Sequence, residues 1–369
     1  MLISYVKQVI LFPRLIYPAL FFLFVSSPAH ALETIFITGF SQSVSEGADT
    51  NSVVLMSING GLSWTSNFSP LRETRSITAL NSTNYFAVGG TSGANPTGYT
   101  FSTTGGSQAV SSGLLQSVDA VSGTYYTAGA TTNGANGTIL KSTNGTTWTT
   151  QVSSGSKLNG ISASDSSVAY AVGDRGTVQK TINGGTEWSS QTTNSNYVLY
   201  GVDTVNATTA YAVGKNGSDG VILKTTDGTN WITTQTVSGT PLNAISVVET
   251  NPNVAFAVGD GSIIMQTTDG NTWSDTGFSS NIGGALSSIY AVSSTKAYAV
   301  GVIGSVARLN GGSWVDISST IPAEYQSYNF TGVSVFVTVP EPSTIILSVV
   351  AVSVLAIIQR TRRSAPKPV

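Results

Sequence analysis

A segment of 39 to 45 residues recurs seven times along this chain, and the recurrence restricts its fold more than any other feature. In the clearest copy, residues 168–191, an apolar strand ends at Gly173 and is followed by a polar turn, an alternating strand, an Asn-Gly-Gly turn and a segment carrying Trp188. The same place in every copy is occupied by Trp64, Ala109, Trp148, Trp188, Trp231, Trp273 or Trp314.

A glycine gives the same count independently of the tryptophans. Each copy has a short apolar strand that ends in glycine, and these glycines are Gly39, Gly89, Gly129, Gly173, Gly214, Gly259 and Gly301. A period of about 40–45 residues without a long helical pattern is typical of the four-stranded blade of a β-propeller. The sequence therefore predicts an all-β fold with a seven-bladed β-propeller over residues 32–339.

One unit can be divided into four strands. The prediction places an inner strand at residues 158–163, a second at 169–173, a third at 177–181 and an outer one at 186–191. The first unit lacks an inner strand, whereas residues 330–336 resemble one and have no blade after them. We therefore expect this C-terminal strand to pair with the N-terminal strand and close the ring, which removes two exposed sheet edges.

Composition excludes several functions. The chain has no cysteine, and its one histidine, His30, precedes the propeller, so Ser–His and Cys–His catalysis are excluded there. Residues 32–339 hold ten Lys or Arg and seventeen Asp or Glu, a difference of −7, without a basic patch. Nucleic acid is therefore not an expected partner, and no metal or cofactor is predicted.

Residues 1–31 are typical of a secretory signal peptide. Lys7 and Arg14 precede an apolar run at 15–25, and the small residues Ala29 and Ala31 predict cleavage before Leu32. The alternative is a permanent membrane anchor, which needs about 20 apolar residues and so a longer run than this one.

The turn before each tryptophan has a recurring sequence. Asn-Gly or Asp-Gly pairs supply the positive φ angles of a tight hairpin, as in Asp227-Gly228 and Asp269-Gly270. The segment 267–273, TTDGNTW, resembles the BNR or Asp-box repeat, and with the preceding Ala-Val-Gly strand the repeats look most like those of photosystem II stability and assembly factors. Asp227 and Asp269 are expected to bond to the turn backbone, with a calcium-ligand role as the alternative.

Residues 340–369 form a different module. Pro340, Glu341 and Pro342 precede an apolar run at 345–358, which is followed by three arginines, Arg360, Arg362 and Arg363. This order resembles the PEP-CTERM sorting signal of Gram-negative bacteria. The resemblance implies an exosortase-type sorting enzyme as partner and a C-terminal hydrophobic sorting helix held transiently in the inner membrane, with the propeller outside and finally at the cell surface or extracellular. An ordinary C-terminal tail anchor is the alternative.

We expect the binding face to lie opposite the Asp-box turns, where the loops differ most in length between copies. Asp174, Arg175, Lys215 and Asp260 are predicted to project near the axis on that face. Solvated turn residues are the alternative interpretation. The tryptophans are expected to pack between blades rather than to form a carbohydrate platform.

These features favour an exported, non-enzymatic propeller that binds extracellular polysaccharide or an envelope protein, or has a structural role in the envelope or matrix. An assembly factor for a membrane complex is the first alternative, as the family resemblance implies. A sialidase-like enzyme is the second, and carboxylates converging on the axis would favour it. Sialidases need an arginine triad, and residues 32–339 contain only Arg72, Arg75, Arg175 and Arg308.

Overall fold

The structure is a computed structural model that describes residues 32–41, 52–69, 73–91, 96–103, 106–132, 134–279 and 283–338. The predicted signal peptide and sorting segment lie outside these residues. The described residues form seven four-stranded antiparallel sheets, which confirms the predicted seven-bladed propeller. No helix in this part of the chain combines the length and apolar character needed to cross a membrane.

Blade 1 contains both ends of the described chain, and blades 2 to 7 follow in sequence order. The strands of blade 1, from the axis outwards, are β28 (Tyr328–Thr338), β1 (Leu32–Ser41), β2 (Ser52–Ser57) and β3 (Thr65–Ser69). Those of blades 2 to 4 are β4 (Glu73–Ala79), β5 (Tyr85–Thr91), β6 (Thr97–Ser102), β7 (Gly106–Ser111); β8 (Leu115–Val121), β9 (Thr124–Ala130), β10 (Gly137–Ser142), β11 (Thr149–Ser154); and β12 (Leu158–Ala163), β13 (Ala169–Gly173), β14 (Thr177–Thr181), β15 (Ser189–Thr192).

Those of blades 5 to 7 are β16 (Tyr197–Thr204), β17 (Ala210–Asn216), β18 (Asp219–Thr225), β19 (Trp231–Val237); β20 (Leu242–Val248), β21 (Asn251–Gly259), β22 (Ile264–Thr267), β23 (Ser274–Asp275); and β24 (Leu286–Ser293), β25 (Lys296–Gly301), β26 (Val306–Asn310), β27 (Ser313–Asp316). Short 3₁₀ helices lie at Asp174–Gly176, Asp260–Ser262, Ser318–Thr320 and Ala323–Tyr325. The outer strand β15 begins three residues later than predicted, because the turn built on Asn183 extends through Glu187.

The ring closes as predicted. Strand β28 pairs with β1 from Leu32 opposite Thr338 to Ser41 opposite Tyr328. Glu33 strengthens the closure, since its buried carboxylate accepts hydrogen bonds from Lys296 Nζ at 2.8 Å and Tyr298 Oη at 3.0 Å. Both partners belong to blade 7, so the first strand of the described residues is fixed to the last blade.

The recurring glycine of each second strand has a steric cause. A Cβ atom on Gly214 would lie 2.0 Å from the Val198 carbonyl oxygen, and one on Gly173 would lie 2.0 Å from that of Lys157. In both blades this oxygen belongs to the residue just before the inner-strand leucine, Leu199 or Leu158. Glycine is therefore required because the inner strand's backbone approaches more closely than any side chain allows.

The tryptophans pack between blades, as expected. The ring of Tyr170 meets Trp231 of the next blade edge to face at 5.8 Å, and Tyr211 meets Trp273 likewise at 6.4 Å. A lysine bridges the same seams, since Lys224 Nζ donates to the Gly270 carbonyl at 3.0 Å. Aromatic packing and a charge-assisted hydrogen bond therefore join each of these Asp-box turns to the preceding blade.

Antiparallel strands divide the turns of each blade between two ends. The turns joining the first to the second strand and the third to the fourth lie at one end, which we call the Asp-box face. The turns joining the second to the third strand, and the connections between blades, lie at the opposite face. Each inner strand therefore begins at the opposite face and ends at the Asp-box face.

Candidate functional site

The four residues predicted to form the binding face lie at the opposite face. Asp174 and Asp260 occupy equivalent 3₁₀ turns, and each accepts a hydrogen bond from an inner-strand asparagine, Asn159 at 2.9 Å and Asn243 at 3.0 Å. Each asparagine also donates to a carbonyl of the next blade. Both aspartates therefore take part in hydrogen-bond networks that hold neighbouring blades together.

The two predicted cations on this face have different surroundings. Arg175 is exposed and has a left-handed φ of 58°. Lys215 Nζ lies 5.9 Å from the centre of the Tyr200 ring, a cation–π distance. Their role in binding stays a prediction.

The Asp-box carboxylates are used within their own turns. Asp227 Oδ1 accepts the backbone N–H groups of Thr229 and Asn230 at 2.8 and 2.7 Å, and Oδ2 accepts the Asn230 amide at 2.7 Å. These bonds, led by that of the Asn230 side chain, hold the pKa of Asp227 well below its usual range. Asp269 caps its turn in the same way. The geometry agrees with the expected structural role.

A cavity of about 750 Å³ lies on the propeller axis at the Asp-box face. Its wall is formed by the final residues of the inner strands from all seven blades, within the described part of the chain. This is the end of the axis opposite to the predicted binding face. This cavity is therefore lined by residues other than the four predicted for the binding face.

One residue from each inner strand contributes to a ring around this cavity. Each of these residues pairs across the sheet with an aromatic residue of the second strand, for example Asp203 with Tyr211 and Ser246 with Phe256. We call the seven residues the cavity ring, and in blade order they are Ser334, Thr78, Asp119, Ser162, Asp203, Ser246 and Tyr290.

The serines of the cavity ring join neighbouring blades. Ser162 Oγ accepts the backbone N–H of Thr204 at 3.1 Å, and Ser246 Oγ accepts that of Ala291 at 3.0 Å. Ser334 Oγ does the same for Ala79 at 3.0 Å. In each case the donor directly follows the ring residue of the next blade. A hydroxyl is therefore sufficient for this seam.

Two aspartates make the same bond with a carboxylate. Asp119 Oδ2 accepts the N–H of Ala163 at 2.9 Å, and Asp203 Oδ2 accepts that of Val247 at 2.7 Å. The second oxygen of Asp119 accepts the N–H of Ala120 at 2.8 Å. Since serine serves this seam in three other blades, the negative charge is not needed to join the blades.

Burial dominates the electrostatics of both aspartates. Enclosure by the cavity wall raises the pKa of Asp119 to about 6 and that of Asp203 to about 7, and the backbone donors oppose the rise without cancelling it. The Glu249 carboxylate raises both values further, and Asp119 raises that of Asp203. Two acids that would ordinarily titrate near pH 4 therefore titrate close to neutrality.

The cavity is acidic and lacks a counter-charge in the described structure. Among the described residues, those lining it include Glu249 and Tyr290 but no lysine, arginine or histidine. Burial first and then the charge of Glu249 raise the pKa of Tyr290, so its phenol stays protonated. No group of three or more His, Cys, Asp or Glu side chains among the described residues is placed to hold a metal ion. The site therefore offers two titrating carboxylates and a phenol.

The inner strands contain a sequence signal for these residues. Aligning the strands on the Ile or Val that directly precedes the ring residue places Asp119 and Asp203 where four other blades have Ser or Thr and blade 7 has Tyr290. Burial and convergence on the axis depend on all seven blades together, so no single repeat reveals them.

The comparisons with known proteins agree with the fold. Residues 201–335 match the family model of the DUF6242 β-propeller domain, which covers less than half of the chain. No curated protein matches the sequence.

Several solved structures are similar to the chain. A protein from Lactobacillus plantarum has a TM-score of 0.57 and 10% identity over 83% of this chain and 99% of its own. YCF48 bound to a D1 peptide has a TM-score of 0.52 and 16% identity over 78% of this chain and 99% of its own. A functionally unknown protein from Desulfotomaculum acetoxidans has a TM-score of 0.52 and 12% identity over 84% of this chain and 99% of its own. At these identities the likeness shows a shared β-propeller fold.

Proposed function

We propose that this protein is an exported, non-enzymatic β-propeller that is sorted by an exosortase-type enzyme and binds a component of the cell envelope or extracellular matrix in its central cavity. The partner is an extracellular polysaccharide or an envelope protein. Transient insertion of the C-terminal segment in the inner membrane precedes display at the cell surface or release.

The observation that carries the binding proposal is the polar wall of the cavity. The space of about 750 Å³ is within the range of ligand sites in proteins. Asp119 and Asp203 face it with charges that the blade seams do not need, because Ser162 and Ser246 make the same seam bonds as neutral groups. Chemistry beyond what folding requires favours a site that recognises a ligand.

Sorting is tested by intact mass and cell fractionation in strains with and without the exosortase. We expect a species that begins at Leu32, is trimmed near Pro340, and is surface-attached or released only when the exosortase is present. An untrimmed chain held in the inner membrane of both strains would reject sorting. That outcome would favour the assembly-factor alternative, for which YCF48 bound to a D1 peptide offers a propeller of similar fold with a peptide partner.

Binding is tested separately by pull-down of the mature protein on exopolysaccharide from the producing bacterium. A double substitution, Asp119→Ser with Asp203→Ser, keeps the seam acceptors and removes the charges. We expect retention of the wild type and at least a severalfold loss in the double variant. Glu187→Ser removes an exposed acid near an Asp-box turn and serves as the control, which should bind normally.

A glycan-active enzyme is the second candidate, and one observation favours it. Asp119 and Asp203 both lie on the axis, and a carboxyl group titrating near neutrality is suited to act as a general acid. Against it, Arg75, Arg175 and Arg308 are not among the described residues that line the cavity. Incubating the same polysaccharide with the wild type and with the double variant tests this candidate. Cleavage by the wild type and not by the double variant would support an enzyme, and any other result would reject it.

A further inference from the structure

We propose that the propeller carries a proton-linked switch on its axis: the buried carboxyl groups of Asp119 and Asp203 take up and release protons, so that the cavity changes between a neutral and a doubly negative state while both blade seams stay bonded. This deepens the proposed function by assigning a regulation to the same cavity. The switch itself is a property of the folded chain and does not depend on export or on a bound partner.

The seams between blades can form with either charge state of the ring residue. The ring residue accepts the next blade's N–H whether it is Asp203 at 2.7 Å or Ser246 at 3.0 Å. A protonated carboxyl group retains an acceptor oxygen, as a hydroxyl does, so the seam does not require the ionised form. Proton uptake therefore changes the charge of the cavity without removing the bond between blades.

The groups around each carboxylate favour the neutral form. Among the described residues, Glu249 at the cavity mouth and the buried phenol of Tyr290 are the other titratable groups that interact electrostatically with the pair. The adjacent ring positions hold the neutral side chains of Thr78, Ser162 and Ser246 on either side of the two aspartates. Among the described residues, the cavity lining supplies no cation to hold the carboxylates ionised, and like charges on the axis favour protonation.

Backbone hydrogen bonds limit how far protonation of the two aspartates is favoured. Each carboxylate accepts a backbone N–H of the next blade, and Asp119 accepts that of Ala120 as well. These donors stabilise the ionised form against burial. The two effects leave the pKa values at about 6 and about 7, so both charge states are reached within the pH range of bacterial surroundings.

The direction of the effect on stability follows from linkage. The folded chain retains the proton of Asp119 up to about pH 6 and that of Asp203 up to about pH 7, whereas the unfolded chain releases both near pH 4. The contribution of each aspartate is therefore fully present below about pH 4 and is lost as pH rises through its folded pKa. Asp227 and Asp269 act in the opposite direction, because their lowered pKa values remove stability only as pH falls below about 4. Stability should accordingly be highest in mild acid.

The test is urea unfolding of the purified protein from pH 4.5 to 8, without ligand. We expect the unfolding equilibrium constant of the wild type to rise by roughly tenfold or more for each carboxylate across this range. The variant with Asp119→Ser and Asp203→Ser should show a rise of less than about threefold, because no buried proton is then lost. Glu187→Ser, the exposed-acid control, should keep the wild-type slope.

A second measurement keeps the proposal testable if the serine variant does not fold. Carbon-13 NMR of the aspartate carboxyl groups should show two titrations with midpoints above pH 5, and Asp119→Asn and Asp203→Asn should each remove one. Absence of such titrations in the wild type, or equal pH slopes in the wild type and a folded double variant, would overturn the switch. Failure of the wild type to bind polysaccharide, with its two titrations present, would instead reject the proposed polysaccharide binding and leave the switch standing.

Discussion

At the scale of single residues, the repeats show which side chains the fold requires and which it tolerates. The second-strand glycine is required, because the Cβ of any other residue would meet a backbone oxygen. The Asp-box position accepts both Asn and Asp. Asn183 accepts the backbone N–H of Glu187 in its turn. Asp227 accepts the backbone N–H groups of Thr229 and Asn230 in the equivalent turn. The cavity ring tolerates Ser, Thr, Asp and Tyr. Variation at the ring is therefore the feature most open to functional selection.

The interchange of Asp and Asn in the Asp-box turn predicts a graded effect at Asp227. Asp227→Asn should lower the melting temperature only slightly at neutral pH, because the amide oxygen still accepts the turn N–H groups while the charge and the oxygen that accepts the Asn230 amide are lost. Asp227→Ala should lower it clearly, because two backbone donors lose their partner. Thermal unfolding followed by circular dichroism checks both. Equal losses in the two variants would contradict the capping role.

The same carboxylate predicts a dependence on acid. The hydrogen bonds of Asp227 hold its pKa below the usual range, so the stability it contributes is present above about pH 4 and disappears as pH falls through the folded pKa. The difference in melting temperature between wild type and Asp227→Ala should therefore shrink between pH 5 and pH 2. A constant difference would show that the charge of Asp227 is irrelevant to the turn.

The lysine that joins blades 5 and 6 predicts a modest loss of stability on substitution. Lys224 Nζ donates to the Gly270 carbonyl at 3.0 Å and lies 5.1 Å from the centre of the Tyr211 ring. Lys224→Met keeps the aliphatic stem and removes both interactions, and should lower the free energy of unfolding by about 1 kcal/mol. Lys157→Met, at the opposite face, is the matched control. Chemical denaturation measures the free energy of unfolding of both variants. Equal losses would show that the Lys224 bridge between the blades does not stabilise the propeller.

At the scale of strands, the sequence predicted the strands that recur in each copy and the glycine that a close backbone contact requires. The alternation of residues 177–181, the apolar run before Gly214 in β17 and the resemblance of residues 330–336 to an inner strand each gave an element in its correct place. The outer strand was placed too early at 186–191, because the hydrogen bonds of Asn183 extend the turn through Glu187. The cavity was not predicted, since convergence on an axis is a property of seven inner strands and not of any one.

The steric role of the second-strand glycine predicts a large loss on adding one methyl group. Gly214→Ala would place Cβ only 2.0 Å from the Val198 carbonyl oxygen. This oxygen belongs to the backbone, which cannot move aside as a flexible side chain can. We expect a loss of about 3 kcal/mol in the free energy of unfolding. Gly155→Ala is the control, because a Cβ there meets no atom within 4 Å. Equal denaturation curves for the two variants would disprove the close approach.

At the scale of the whole molecule, closure determines whether seven marginal sheets become one stable domain. Blade 1 takes its inner strand β28 from the end of the chain, and Glu33 fixes the start of the chain to Lys296 and Tyr298 of blade 7. An open ring would expose the edge of β1 and the side of blade 7 that packs on β28. Long-range contacts between the two ends of the chain are therefore the condition for cooperative unfolding and for an enclosed cavity on the axis.

Truncation at two nearby points tests this dependence. A chain ending at Gln326 lacks β28, so blade 1 keeps three strands and the cavity wall loses Ser334 and its neighbours. Such a chain should unfold at markedly lower denaturant concentration, with a broader transition, and should aggregate through the exposed edge of β1. A chain ending at Thr338 retains every strand and is the control, with wild-type unfolding expected. If the shorter chain unfolds in one sharp transition at the midpoint of the longer one, closure by β28 does not stabilise the propeller, and the cavity must be held open by the remaining blades alone.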